Sequence, residues 1–307
     1  MQADGVAAWA WIPIVIWAAF AQTIRNATQR TLVASLGTLA ATLVRFLYGL
    51  PFAGTWLLAV HAITATPLNW PAVSPAYLGW LGLGAGSQLV ATACLLMAMK
   101  QRNFIIGVTF SKTEVLQVGI FATLILQELP SLLSGIAMVV ATVGVVLLSL
   151  PRKAGAGAAT WNAQAAWFGL ASGAGFALSA VGYRGAALAL GSTSPWIIGA
   201  WNVLLAQTAQ SLLLGGWIAW RQPGTLQAIA RAWRPSLLAG MMGALASIGW
   251  LTATALRPAL DVRTLGLVEV LFSYFVSRQF FKERMSVREG TGLVLVLAGV
   301  LAASSQL

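Results

Sequence analysis

Two glutamates, Glu114 in Thr-Glu-Val-Leu and Glu269 in Val-Glu-Val-Leu, are the residues best suited to chemistry. They lie 155 positions apart inside apolar runs, and each is followed fourteen residues later by another glutamate, Glu128 and Glu283. A carboxylate in an apolar interior is costly, so it faces a cavity or a partner. Such a group can take up and release a proton, or hold a cationic ligand. It can equally be one half of a structural ion pair, with Lys112 or Arg45 as the neutralising partner. Lys112 is two residues from Glu114, so the two leave a helix on different faces and any pair must form between helices. Glu269 is the stronger candidate, because no basic residue shares the middle of its run.

At helical spacing Glu114 shares a face with Phe110, Gln117 and Phe121, and Glu269 with Phe272, Ser273 and Val276. A carboxylate beside aromatic rings suits an amine or organic cation. Phenylalanines on such helices also serve simply as core or lipid contacts. Arg45 could bind an anionic group or serve structure. Further polar residues inside apolar runs are Gln22, Thr23, Asn26, Gln88, Tyr183, Asn202, Gln207 and Gln210; Asn202 and Gln210, at i and i+8, fall on one face. Interhelical hydrogen bonds account for such residues equally well. Trp17, Trp201 and Trp250 lie deep in their runs and are the aromatic candidates for a cavity, whereas most of the fourteen tryptophans sit near run ends, as in an interfacial belt. Glu128 and Glu283 fall at run edges and read as helix-end residues. His61 reads as a loop residue without ligands. One histidine and two aspartates offer no metal site and no catalytic constellation, and there is no phosphate-binding glycine loop, so neither an enzyme nor a bound cofactor is expected.

The elements that carry these residues follow from composition. Of 307 residues 59% are hydrophobic and only 8% charged, against about a quarter charged in a soluble domain. Runs of about twenty apolar residues recur from end to end, long enough to cross a bilayer as helices and too long and unbroken for barrel strands. The expected spans are 8–27, 33–55, 76–99, 104–127, 131–150, 162–188, 194–219, 236–256, 262–281 and 287–305. The net charge of +11 is scattered singly among short connections, which suits membrane orientation and not nucleic acid. Cys94 stands alone, so no intrachain disulfide forms.

The longest connection, near 151–160, divides the chain at its middle. Residues 114–149 align on 269–304 with ten identities in thirty-six, including Glu114/Glu269, Glu128/Glu283, Gly135/Gly290 and Gly144/Gly299. Glycine pairs suit helices that pack closely at a repeat interface. Five spans per repeat require the copies to be inverted. The basic residues agree: odd-numbered connections hold thirteen, counting Arg25 and Arg278, and even-numbered ones three, Arg184, Arg257 and Arg263. The positive-inside rule then puts odd connections in the cytoplasm and both termini outside.

With these features the chain resembles the EamA branch of the drug/metabolite transporter superfamily over essentially its whole length. The resemblance rests on Trp17-Ala-Ala-Phe20, on Leu43-Val-Arg45-Phe46-Leu47, on Glu114…Gln127-Glu128 with its mate Glu269…Lys282-Glu283, and on the closing spans Gly135…Gly144-Val145 and Gly290…Gly299-Val300. It departs where Val115 and Val270 replace the family's usual proline, and in the orientation of its termini.

The resulting expectation is an all-α membrane protein of ten transmembrane helices in two inverted five-helix repeats, 1–150 and 161–307, with a linker at 151–160. It would be a monomeric or homodimeric secondary transporter of a bacterial inner membrane. It would move a small organic metabolite (an amino acid, amine or organic cation) against protons or a counter-substrate. A lipid flippase and a structural membrane partner are the alternatives. Candidate binding or coupling residues are Glu114, Glu269, Trp17, Gln117, Asn202, Trp250, Phe272 and Arg45.

Overall fold

The computed structural model describes residues 2–100, 110–149, 163–190, 194–272 and 287–305. The linker 151–160, Ser273, Val276, Arg278, Lys282, Glu283 and Arg284 lie outside the described residues.

Every regular element among the described residues is a helix. In chain order these are α1 (Gln2–Leu36), α2 (Thr38–Leu47), α3 (Leu50–Ile63), α4 (Pro75–Lys100), α5 (Glu114–Phe121, continued by a π turn over Ala122–Leu126) and α6 (Leu132–Ser149). Then follow α7 (Ala163–Leu190), α8 (Pro195–Arg221), α9 (Pro223–Arg231), α10 (Trp233–Leu256), α11 (Ala259–Leu265) and α12 (Val287–Ser304). Five stretches are long and apolar enough to cross a membrane: Thr38–Ile63, Pro75–Lys100, Ala163–Leu190, Pro195–Arg221 and Trp233–Leu256. The described residues are all-α, consistent with a multi-pass helical membrane protein.

The outer surface is as apolar as the core. Leu124, Leu132, Leu212, Leu213 and Leu301 stand exposed on the outside, while the interior mixes large apolar side chains such as Leu43, Phe46 and Leu265 with alanines, glycines and a set of polar side chains. Small residues let helix backbones approach, which is how helices associate where lipid is as apolar as leucine. The closest pairs are α4 with α7, α6 with α12, and α1 with α10. A Cβ on Gly182 would lie 2.5 Å from the Gly84 nitrogen, and one on Gly249 2.7 Å from the Ala18 methyl. At α6–α12, a Cβ on Gly144 would lie 2.7 Å from the Gly292 oxygen, and one on Gly299 2.7 Å from the Ala137 oxygen. Gly135 and Gly290 face open space, so of the two matched glycine pairs only Gly144/Gly299 makes the contact.

Several boundaries differ from the sequence reading. The first helix does not end near residue 27 but runs to Leu36, because Gln22, Arg25, Asn26 and Gln29 form a polar stripe at i, i+3, i+4 and i+7 that turns inward. Arg25 is therefore no loop residue; it is 1% exposed. The second span starts at Thr38, breaks at Tyr48-Gly49 and continues to Ile63. His61 thus lies on α3 and not in a loop, buried, with Nδ1 2.9 Å from the Thr66 hydroxyl. Arg263 belongs to α11 and is buried, where a connection was expected.

Candidate functional site

Two helix interruptions present the two glutamates. Before Glu114 the chain is helical at 110–111, turns at 112–113, and restarts as α5 with Glu114 in its first turn. Before Glu269 it turns at 266–267 and is helical again over 268–272. Both turns use tight i→i−3 bonds, from Thr113 N–H to the Phe110 carbonyl and from Glu269 N–H to the Gly266 carbonyl. Both glutamates thus stand in the first turn of a restarted helix, where the dipole favours negative charge.

The ion pairs cross between the halves of the chain. Lys112 Nζ donates to Glu269 Oε2 at 3.0 Å, and Arg263 Nη1 stands 3.1 Å from Glu114 Oε1. Glu269 also accepts from Gln22 Nε2 at 2.7 Å and from Asn26 Nδ2 at 3.1 Å, so α1 supplies two of its donors. Trp250 Nε1 donates to Gln22 Oε1 at 3.0 Å, and its ring lies under the Arg263 guanidinium at 4.7 Å. These groups surround a small cavity lined by Gln22, Lys112, Glu114, Val115, Trp250, Arg263, Gly266, Leu267 and Glu269. Gly266 is required there, since a Cβ would lie 2.5 Å from the Trp250 ring.

Of the residues singled out from sequence, Glu114, Glu269 and Trp250 line this cavity together. Lys112 neutralises Glu269 across helices, and Arg45, the other partner considered, does not; its Nη1 donates to Thr92 Oγ1 at 2.7 Å. Gln117 sits one turn along α5, donating to Thr113 Oγ1 at 2.9 Å. Phe272 stands off the cavity, edge-on to Phe20 with centroids 5.9 Å apart. Trp17 is 47% exposed on the outer face of α1, against Phe20, and does not reach the cavity. Asn202 accepts from the Tyr77 hydroxyl at 2.9 Å, away from the cavity, and in a separate network Gln88 accepts from Tyr183 and Gln210, both at 2.9 Å. That network ties α4, α7 and α8 together, so these residues serve helix packing. Trp201 packs on Trp70, centroids 5.1 Å apart, away from the cavity. Glu128 pairs with Arg184 at 2.8 Å, a helix-end contact of the kind its position implied.

Sequence reasoning missed Arg25 and Arg263 as site residues, having counted both in loops. The inward stripe at 22, 25, 26 and 29 was the available signal for Arg25. For Arg263 there was none as clear, because Pro258 and Gly266 bracket it like a connection. No group of histidine, cysteine and acidic residues able to hold a metal occurs among the described residues.

No family model matches the chain, and no curated protein matches it in sequence. A solved structure, described only as "Crystal structure of protein", superposes over 97% of this chain and 99% of its own length, with a TM-score of 0.64 and 14% identity. At that identity the likeness speaks for the fold alone.

Proposed function

We propose that this chain is a secondary transporter of a bacterial inner membrane. In this reading its ten spans form two inverted five-helix repeats, 1–150 and 161–307, related to the EamA branch of the drug/metabolite transporters. The observation that carries the proposal is the pair of crossed ion pairs, Lys112–Glu269 and Arg263–Glu114, around one polar cavity inside the helix bundle. Interrupted helices at a midplane site are a device of inverted-repeat carriers.

Helix pairing supports the repeat. A two-fold that exchanges span n with span n+5 turns the α1–α10 contact into the α7–α4 contact and returns α6–α12 to itself; these are the three tightest pairs. Orientation is supported by basic residues that remain on odd connections once Arg25 and Arg263 are removed. On α9 and its flanks, Arg221 and Arg234 stack on Trp220 and Trp233, as at a membrane surface. In this reading both termini face the periplasm.

Ion pairs that join the halves would hold one conformation closed. A substrate bearing charges of both signs, such as an amino acid, would replace them pair for pair, and a proton on either carboxylate would release its cation. With no nucleotide-binding loop in the sequence, protons or a counter-substrate would supply the driving force.

The test is thermal stability of the detergent-purified protein with amino acids, amines, quaternary cations, nucleosides, sugar phosphates and lipid-linked sugars, on wild type and Glu269→Gln. Flux of any hit is then measured in liposomes with and without a pH gradient. A ligand at a hundred times its dissociation constant adds about 2.7 kcal/mol. A hit that is transported, and lost in Glu269→Gln, supports the proposal. Response to lipid-linked ligands alone would replace the carrier with a flippase, and no ligand and no flux would leave a structural membrane protein.

A further inference from the structure

Beside the cavity the charges do not balance. Among the described residues the cavity and the layer beside it hold Arg25, Arg45, Lys112 and Arg263 against Glu114 and Glu269, and of these four cations Lys112 and Arg263 are paired. Arg25 and Arg45 are each 1% exposed, with no carboxylate at ion-pair distance among the described residues. Arg25 Nη2 donates to Asn26 Oδ1 at 2.7 Å, while its Nε and Nη1 have no partner. Arg45 gives Nη1 to Thr92, and its Nε has none.

The two arginines converge. A Cβ on Gly243 would lie 3.0 Å from Arg45 Cγ and 3.5 Å from Arg25 Cδ, so both stems flank one point on α10. That point is two turns from Trp250, and Arg25 is one turn from Gln22; both of those residues line the cavity. The site therefore adjoins the cavity, reached through the chain Arg25–Asn26–Glu269. Two buried guanidinium groups whose stems come this close repel in a low-dielectric interior, and their unpartnered N–H groups add a desolvation penalty. Arg45 lies in the last turn of α2, where the helix C-terminus favours a cation, but a dipole does not satisfy its Nε.

We propose that Arg25 and Arg45 form an oxyanion subsite, so that the transported molecule carries a carboxylate or phosphate group. This rests on the transporter reading and narrows it: an amine or quaternary cation with no acidic group does not meet the positive surplus.

The experiment uses the full chain in detergent with inorganic phosphate and succinate as probes and a quaternary ammonium ion as control. It compares wild type with Arg25→Gln, Arg45→Gln, Arg25→Lys and Arg45→Lys. The expected result is a rise in melting temperature with an oxyanion, its affinity weakened at least about tenfold in each Gln variant. Should the Gln variants not fold, the Lys variants carry the test, since a point charge replaces the planar fork and must also weaken the response. Phosphate alone assigns a phosphate ester, and succinate alone a carboxylate. The subsite is overturned if neither oxyanion stabilises wild type, or if the variants respond as wild type does. A quaternary cation that is transported, and lost in Glu269→Gln, would sink the subsite while leaving the carrier. Arginine-dependent oxyanion binding without flux of any solute would do the reverse.

Discussion

Glu269 is held from three sides: Lys112, Gln22 and Asn26 all donate to it, and it is only 6% exposed. Removing one partner of a buried pair leaves an uncompensated charge, which costs more than the pair itself contributes. Lys112→Met should therefore lower stability by about 3–5 kcal/mol, and adding Glu269→Gln should recover most of that loss. Thermal unfolding of the single and double variants in detergent checks this, and a Lys112→Met protein as stable as wild type would show the pair to be idle. Trp250→Phe keeps a ring beneath Arg263 and removes the donor to Gln22 Oε1, so it should cost about 1 kcal/mol. Its melting curve, read beside that of Trp250→Ala, separates the hydrogen bond from the ring.

At the scale of elements, glycines decide which helices touch. Gly182 and Gly84 bring α7 and α4 into backbone contact, so Gly182→Val should cost about 1–3 kcal/mol or more through overpacking. Gly135 faces open space within α6, and Gly135→Ala should be neutral or stabilise by up to about 1 kcal/mol through helix propensity. Melting temperatures of the two variants test whether packing or propensity governs each site. The interruptions before Glu114 and Glu269 are the counterpart of these contacts, because a helix restarted inside the bundle aims its first side chains at the cavity.

For the whole molecule, orientation is the open prediction. In a Cys94→Ser background, Asn69→Cys between α3 and α4 should react with a membrane-impermeant maleimide in intact cells. Gln222→Cys, between α8 and α9, should react only after lysis. The opposite pattern would put both termini in the cytoplasm and overturn the charge argument. Removing Arg25 and Arg263 from the loop count weakens neither side selectively, since each was assigned to a different face.

Much of this was legible in the one-dimensional pattern. Long apolar runs require helices in lipid, and a glutamate repeated in register within them marks a polar interior, because burying charge without purpose is too costly. The matched Gly144 and Gly299 likewise announced a close helix contact. The partners of those glutamates could not be read that way. Lys112 meets Glu269 across 157 positions, and Arg263 meets Glu114 across the opposite crossing, because the folded bundle brings two helix breaks face to face. Arg25 passed for a loop residue until α1 was seen to continue past it. A charge's cost is written in its own residue type, whereas its neutralisation depends on which other helix stands within about 4 Å, and only tertiary packing decides that.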